Sequence, residues 1–185
     1  MNIKKAIRRQ LIQKRNKLDQ RHVSDLSQQI VNNVISHQTF IDAHSVALYH
    51  AYAQEVNLLK ILCHDKLFSL PTIQNNNLMT FNQVSKLSEL VINKYGISEP
   101  VNGRIINAST IDLCLMPLVG FNRNGDRLGM GGGYYDRYFE LNKFNKKPTI
   151  LAGIAYDFQE NDTIPSNQWD IPLDIIFTNK EVIIP

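Results

Sequence analysis

Between Gly125 and Phe139 the chain reads GDRLGMGGGYYDRYF, five glycines and adjacent tyrosines with Asp136 set among arginines. Bare backbone at Gly129, Gly131, Gly132 and Gly133 can bring N–H groups close to an anion, and a helix starting just after them would add its positive end. Phosphate binding is therefore one chemistry this stretch offers; a tight turn is the other reading that clustered glycines satisfy. Neither standard nucleotide motif fits. After Gly129 and Gly131 the next glycine of the dinucleotide fingerprint falls on Tyr134, and no Gly-Lys-Ser/Thr comes after it to make a P-loop.

Asp136 also has two readings. A carboxylate in a first helical turn is stabilised by about 0.3–1 kcal/mol through the helix dipole, which suffices as a structural reason. Beside a phosphate it would repel the ligand unless a divalent cation lay between them, and magnesium takes one or two carboxylates together with phosphate oxygens. Arg127 would donate to the same phosphates, whereas Arg137 has the plainer reading of a helix-surface ion pair. Tyr134 and Tyr135 offer packing against a sheet or a wall for a ligand, and the i, i+4 spacing puts Tyr134 and Tyr138 on one helical face.

Charge is unevenly spread. Residues 1–21 hold eight lysines and arginines against the single Asp19, a local +7 in a chain of net +3. Such a face is either solvated or meets an anionic ligand or nucleic acid. The first residues, MNIKKAIRRQ, lack an apolar run of signal-peptide length, and no segment approaches the roughly 18 apolar residues of a membrane span, so a cytoplasmic protein is expected. Cys63 and Cys114 are too few for a disulfide framework and sit in apolar runs, where both are expected to pack as small hydrophobes.

The elements that would position these groups can be read from periodicity. Ile3, Ile7, Leu11 and Leu18 predict a helix over about 2–18, and Leu26, Ile30, Val34 and Ile35 a second one behind Ser24 and Asp25, running to about 37. Strands are expected at 45–50, 66–71, 78–84, 111–117, 149–156, 174–177 and 181–184. Asn57 reads as the cap of a helix through NLLKILCHD, VSKLSELV as a helical turn, and about 132–142 as a helix. Strands alternating with helices imply one α/β domain over 1–185: three layers, Rossmann-like, with a mostly parallel twisted sheet and helices on both faces. Its ligands would sit beyond the carboxyl ends of the strands.

Taken with its surroundings, PLVGFNRNGDRLGMGGGYYDRYF resembles the signature of the 5-formyltetrahydrofolate cyclo-ligase family. The basic Lys4-x-x-x-Arg8 helix, Glu55-Val after a strand, GISEP at 96–100 and WDIPLDIIFT near the end occur in the family's order, so the resemblance spans nearly the whole chain. It implies an ATP- and magnesium-dependent closure of 5-formyltetrahydrofolate to 5,10-methenyltetrahydrofolate, releasing ADP and phosphate. The formyl oxygen would take the γ-phosphoryl group before the ring-10 amine attacks.

Position by position, the resemblance implies that Lys4, Arg8, Arg127, Leu128, Gly129, Met130, Gly131, Gly132, Gly133, Tyr134 and Tyr135 surround ATP. Met130 to Tyr134 would also touch folate, together with Glu55 on the pterin and His50 beside it. Asp136 and Asp170 would bind magnesium. Without the resemblance, Asp170 reads as a turn residue, Glu55 as an exposed loop acid or an N-terminal helix charge, and His50 as a strand-end histidine satisfied by backbone. Some relatives carry a lysine among the glycines; here Met130, Gly132 and Gly133 are uncharged, leaving phosphate charge to Arg127, Lys4, Arg8 and magnesium. A monomer acting on small molecules, with no nucleic-acid or membrane partner, is expected. The competing readings are a nucleic-acid-binding module, from the basic N-terminus, and a sugar-phosphate enzyme on a similar scaffold, from the glycine loop.

Overall fold

The computed structural model describes residues 3–74, 78–84, 90–93, 96, 98–101, 103–140, 144 and 147–185. Its helices are α1 (Ile3–Arg15), α2 (Gln20–Ser36), α3 (Gln38–Asp42) and α4 (Tyr134–Tyr138). Its strands are β1 (Ser45–Ala47), β2 (Leu67–Ile73), β3 (Met79–Val84), β4 (Leu90–Ile92), β5 (Ser98–Pro100), β6 (Ile105–Ile106), β7 (Leu113–Pro117), β8 (Gly120–Phe121), β9 (Arg127–Leu128), β10 (Ile150–Ile154), β11 (Ile175–Phe177) and β12 (Val182–Ile183).

Eight strands form the main sheet in the order β12-β11-β10-β7-β1-β2-β3-β6. From β11 to β2 every pairing is parallel, while β12 at one edge and the β2–β3 and β3–β6 pairings at the other are antiparallel. Successive residues of a strand point to opposite faces, and the core divides accordingly. Val46, Leu113, Leu115, Ala152 and Ile154 pack with Ile30 and Val34 of α2 and Phe40 of α3. Ala47, Cys114, Met116, Leu151 and Ile176 pack on the other side with Phe139 and the tyrosines of α4. The sheet is thus a mostly parallel one with helices on both faces, as expected. Among the described residues no helix is long and apolar enough to cross a membrane.

Local chemistry moved several boundaries. α2 begins earlier than Ser24, because the Asp19 carboxylate accepts the His22 N–H at 2.8 Å and caps it there. α1 stops at Arg15, and Leu18 reaches the core from the turn beyond it. Asn57 does cap, accepting the Leu59 N–H at 3.0 Å, but the segment it caps, Leu59–Cys63, winds as a 3₁₀ helix and ends in the turn that feeds β2. That tighter winding leaves Cys63 exposed, contrary to expectation, whereas Cys114 is buried. α4 cannot start at 132, since Gly133 holds a left-handed φ of +64°, and it ends at Tyr138. Residues 141–142 of that expected helix lie outside the described residues. So do 85–89 of the expected helical turn, whose remaining residues are strand: Val84 ends β3, and Leu90 and Val91 belong to β4, paired with β5.

α1 lies on neither face of the sheet. Its Ile7 and Leu11 pack with Val119, Leu128 and Ile164, against the hairpin of β8 and β9. A Cβ on Gly120 would stand 2.5 Å from Leu11 Cδ1, so the glycine permits the close approach. Because β8 comes directly after the carboxyl end of β7, this docking carries the basic helix across the sheet edge where ligands of such folds bind.

Candidate active site

A turn delivers the glycine segment to this edge. Asn122, 4% exposed, accepts the N–H groups of Asn124 and Asp126 on its Oδ1, both at 3.0 Å, and donates Nδ2 to Asp126 Oδ2 at 2.8 Å. Gly125 supplies the left-handed φ of +85° that reverses the chain. Arg127 and Leu128 pair back on β8, and Gly129 emerges beyond them, exposed. Nothing lies within 4 Å of where a Cβ on Gly129 would stand. Asn122 was missed in the sequence, although its NRNGD context carries the signal of an Asx-stabilised turn.

Cations converge here. Arg8 donates Nε to the Gly129 carbonyl at 2.8 Å, and its guanidinium lies 3.7 Å from the position a Gly131 Cβ would take. Lys4, one helical turn earlier, holds Asp170 Oδ2 at 2.6 Å. Arg127, with a side chain only 8% exposed, pairs with Asp136 Oδ1 at 2.5 Å and donates to the Ile171 carbonyl. α4 has five residues, too short for the dipole expected to attract phosphate, so positive charge at the segment rests on these three side chains and Arg137. Arg137 donates to the Gly132 carbonyl at 2.8 Å and lies over the Tyr134 ring, 5.3 Å from its centre.

The two carboxylates assigned to magnesium meet at one turn. Asp136 Oδ1 accepts the Ile171 N–H at 3.2 Å, while Asp170 Oδ2 accepts the Asn167 backbone and side-chain N–H groups at 3.0 and 3.2 Å. Each also carries a basic partner, Arg127 and Lys4 respectively. Among the described residues no group of three or more His, Cys, Asp or Glu side chains is placed to hold a metal. Two carboxylates alone could hold a magnesium ion that took its other ligands from phosphate and water.

Glu55 stands on a turn beyond β1 that contains Ala53 at φ +51°, the one left-handed non-glycine among the described residues. Glu55 Oε2 accepts the Tyr52 N–H at 3.0 Å, and Oε1 faces Arg15 Nη1 at 3.4 Å. Burial raises the Glu55 pKa above the ordinary carboxyl range, with Arg15 opposing the shift. Folding therefore favours its protonated form, and this group's contribution to stability falls as pH rises from its unfolded value through the raised one. Burial likewise raises the Tyr135 phenol. His50 is half-buried three residues past β1, on the same edge, and Met130 is 60% exposed.

Of the sequence-derived set, Lys4, Arg8, Arg127, Gly129, Gly131, Asp136 and Asp170 are brought together, with Glu55 tied to the same helix through Arg15. Lys4, Arg8 and Arg15 thus have partners in this region and Arg21 faces Asp25 along α2, which accounts for four of the eight N-terminal cations. Arg15 was missed, yet it lies seven residues after Arg8, two turns along the same stripe.

This sheet, with its cluster at the carboxyl ends of the parallel strands, defines a protein of the α/β class whose members bind ligands at that edge. The chain belongs to the 5-formyltetrahydrofolate cyclo-ligase family, whose model matches residues 1–179. It is 33% identical over 178 residues to the 5-formyltetrahydrofolate cyclo-ligase of Mycoplasma pneumoniae, covering 96% of this chain and 99% of that one. To the enzyme of the same name from Escherichia coli K12 it is 31% identical over 179 residues, covering 92% and 97%. Its fold is similar to the solution structure of Aquifex aeolicus 5,10-methenyltetrahydrofolate synthetase, with a TM-score of 0.85 at 33% identity, covering 98% of this chain and 92% of that one.

Proposed function

We propose that this chain closes 5-formyltetrahydrofolate to 5,10-methenyltetrahydrofolate with consumption of ATP, using magnesium. The observation that carries the ATP-dependent reading is the meeting of Lys4, Arg8, Arg127, Asp136 and Asp170 around the open space at Gly129.

A formamide carbon is a weak electrophile and its oxygen a weak leaving group. Transfer of the γ-phosphoryl group to the formyl oxygen breaks the bond to ADP and repairs both faults. The ring-10 nitrogen then forms the new C–N bond with its lone pair, the C–O bond breaks with departure of phosphate, and the nitrogen loses its proton. Such chemistry asks a protein for positioning and charge neutralisation, and no side chain needs to act as nucleophile.

Magnesium, when bound, would neutralise phosphate oxygens. Asp136 and Asp170 would hold it, turning Arg127 and Lys4 from their carboxylates toward the phosphates. Arg8 and the amides of Gly129–Tyr135 would line the same anion, with Leu128 behind them. Glu55 would accept the pterin N–H donors, with His50, Met130 and Tyr134 along the folate. Each resting pair offers both members a new partner, so no buried charge is stranded in the exchange. On this proposal residues 1–185 act as one catalytic domain, a cytoplasmic monomer whose partners are small molecules rather than nucleic acid.

The test is to follow methenyltetrahydrofolate absorbance with purified protein, ATP and magnesium. Product in the complete mixture and none without ATP is the expected result; absence of ATP-dependent product would reject the proposal. A finer outcome concerns Gly129→Ala. Its added methyl meets no protein atom, so thermal stability should stay within about 0.5 kcal/mol of the parent. The same methyl would intrude on ATP, raising its KM about tenfold. An unchanged KM would move the nucleotide elsewhere.

A further inference from the structure

The stripe of α1 that carries Lys4 and Arg8 continues to Arg15. At about 3.6 residues per turn, Lys4, Arg8, Leu11 and Arg15 fall on one face and span roughly 16 Å of helix. Leu11 is buried in the β8–β9 contact and fixes this face toward the sheet edge. One end of the stripe meets Asp170 and the Gly129 carbonyl; the other meets Glu55.

Arg15 is unusual for a helix-surface cation. It is 3% exposed, its Nη1 stands 3.4 Å from Glu55 Oε1, and its buried Nε has no hydrogen-bond partner among the described residues. A buried pair at this separation is a poor stabiliser, since charge-assisted bonds close to about 2.8 Å and desolvation offsets the attraction. It is better suited to orientation. Arg15 engages one carboxylate oxygen and the Tyr52 N–H the other, so both are held by groups on different elements. The other titratable groups around Glu55 are Tyr49, Tyr135 and Tyr156, and burial keeps all three phenols protonated. Arg15 is accordingly the one cation in the described surroundings of Glu55.

We infer that Arg15 is a positioning residue for the folate subsite: it holds Glu55 turned so that its oxygens receive the N–H donors of the pterin. This rests on the reading of Glu55 as the pterin acceptor proposed above.

The experiment measures the Kd of 5-formyltetrahydrofolate and, separately, of magnesium-ATP by calorimetry. It uses the full chain and its Arg15→Gln, Arg15→Lys, Glu55→Gln and Arg15→Gln/Glu55→Gln variants. Arg15→Gln should weaken folate binding about tenfold and leave ATP unchanged, with Arg15→Lys between it and the parent at about threefold. In the Glu55→Gln background, Arg15→Gln should add less than about twofold, because the two groups act as a unit. A full tenfold loss in that background, or an equal loss of ATP and folate affinity, overturns the inference. Should Arg15→Gln fail to fold, Arg15→Lys decides: folate-selective loss supports the inference and parental affinity rejects it. If Glu55→Gln itself leaves folate binding unchanged, the assignment of Glu55 falls and this inference with it. If Glu55→Gln weakens folate binding while Arg15→Gln does not, only the inference falls.

Discussion

Asp136→Asn is expected to lower kcat on the order of 100-fold or more, with a matching loss of response to magnesium. Asparagine keeps the shape of the side chain and an oxygen that can accept the Ile171 N–H now bonded at 3.2 Å. What it removes is charge, and with it half of the carboxylate pair available to a metal. Neutralising transferring phosphate contributes several kcal/mol to such reactions, and each tenfold in rate corresponds to about 1.4 kcal/mol, so a loss of about 100-fold is modest. Arg127, 8% exposed at its side chain, loses its ionic partner in the same variant. The amide oxygen can still accept from it, so stability should fall by about 1–2 kcal/mol rather than by the roughly 3–5 kcal/mol typical of a stranded buried charge. A magnesium titration of turnover alongside thermal denaturation separates the two effects. Parental turnover at parental magnesium would remove Asp136 from the metal site.

Arg8→Met should raise the KM for ATP roughly tenfold to 100-fold while that for folate changes little. Methionine keeps the stem that lies along α1 but cannot donate to the Gly129 carbonyl or offer a cation beside Gly131. A hydrogen bond to a charged partner contributes about 1.5–3 kcal/mol when its loss is not made good, which sets that range. The stability cost should be below about 1 kcal/mol, because the bond to Gly129 is exposed and water can replace it. Steady-state kinetics with each substrate varied in turn checks the split. Equal increases in both KM values would show that Arg8 holds the loop in place rather than the nucleotide.

Much of this site was legible in the chain itself because its chemistry is local in sequence. The glycines, Arg127 and Asp136 lie within one short segment, and Lys4 and Arg8 share a helical face whatever that helix packs on. The sheet strands were legible for the same reason: runs such as IDLCLMP are apolar on both faces and have no stable place except inside a covered sheet. Boundaries were harder, because caps and turns compete over one or two residues, as Asp19 against Ser24 and Gly133 against Gly132 show.

Other features depended on the complete fold. The helical period of NLLKILCHD did not reveal that the chain must return to β2 and tightens into 3₁₀ turns. Arg15 read only as one of eight N-terminal cations, facing solvent or an anionic partner, since nothing near it in sequence announces its acid forty positions away. By itself the sequence determined which residue types are present at phosphate- and metal-compatible spacing, and that a mostly parallel α/β sheet would present them. Only the tertiary structure decided that α1 crosses the sheet edge instead of lying on a face. Leu11 seats against Gly120, where a Cβ would stand 2.5 Å from it, and together with Ile7 it docks the helix so that Lys4, Arg8 and Arg15 meet partners at three distant points of the chain.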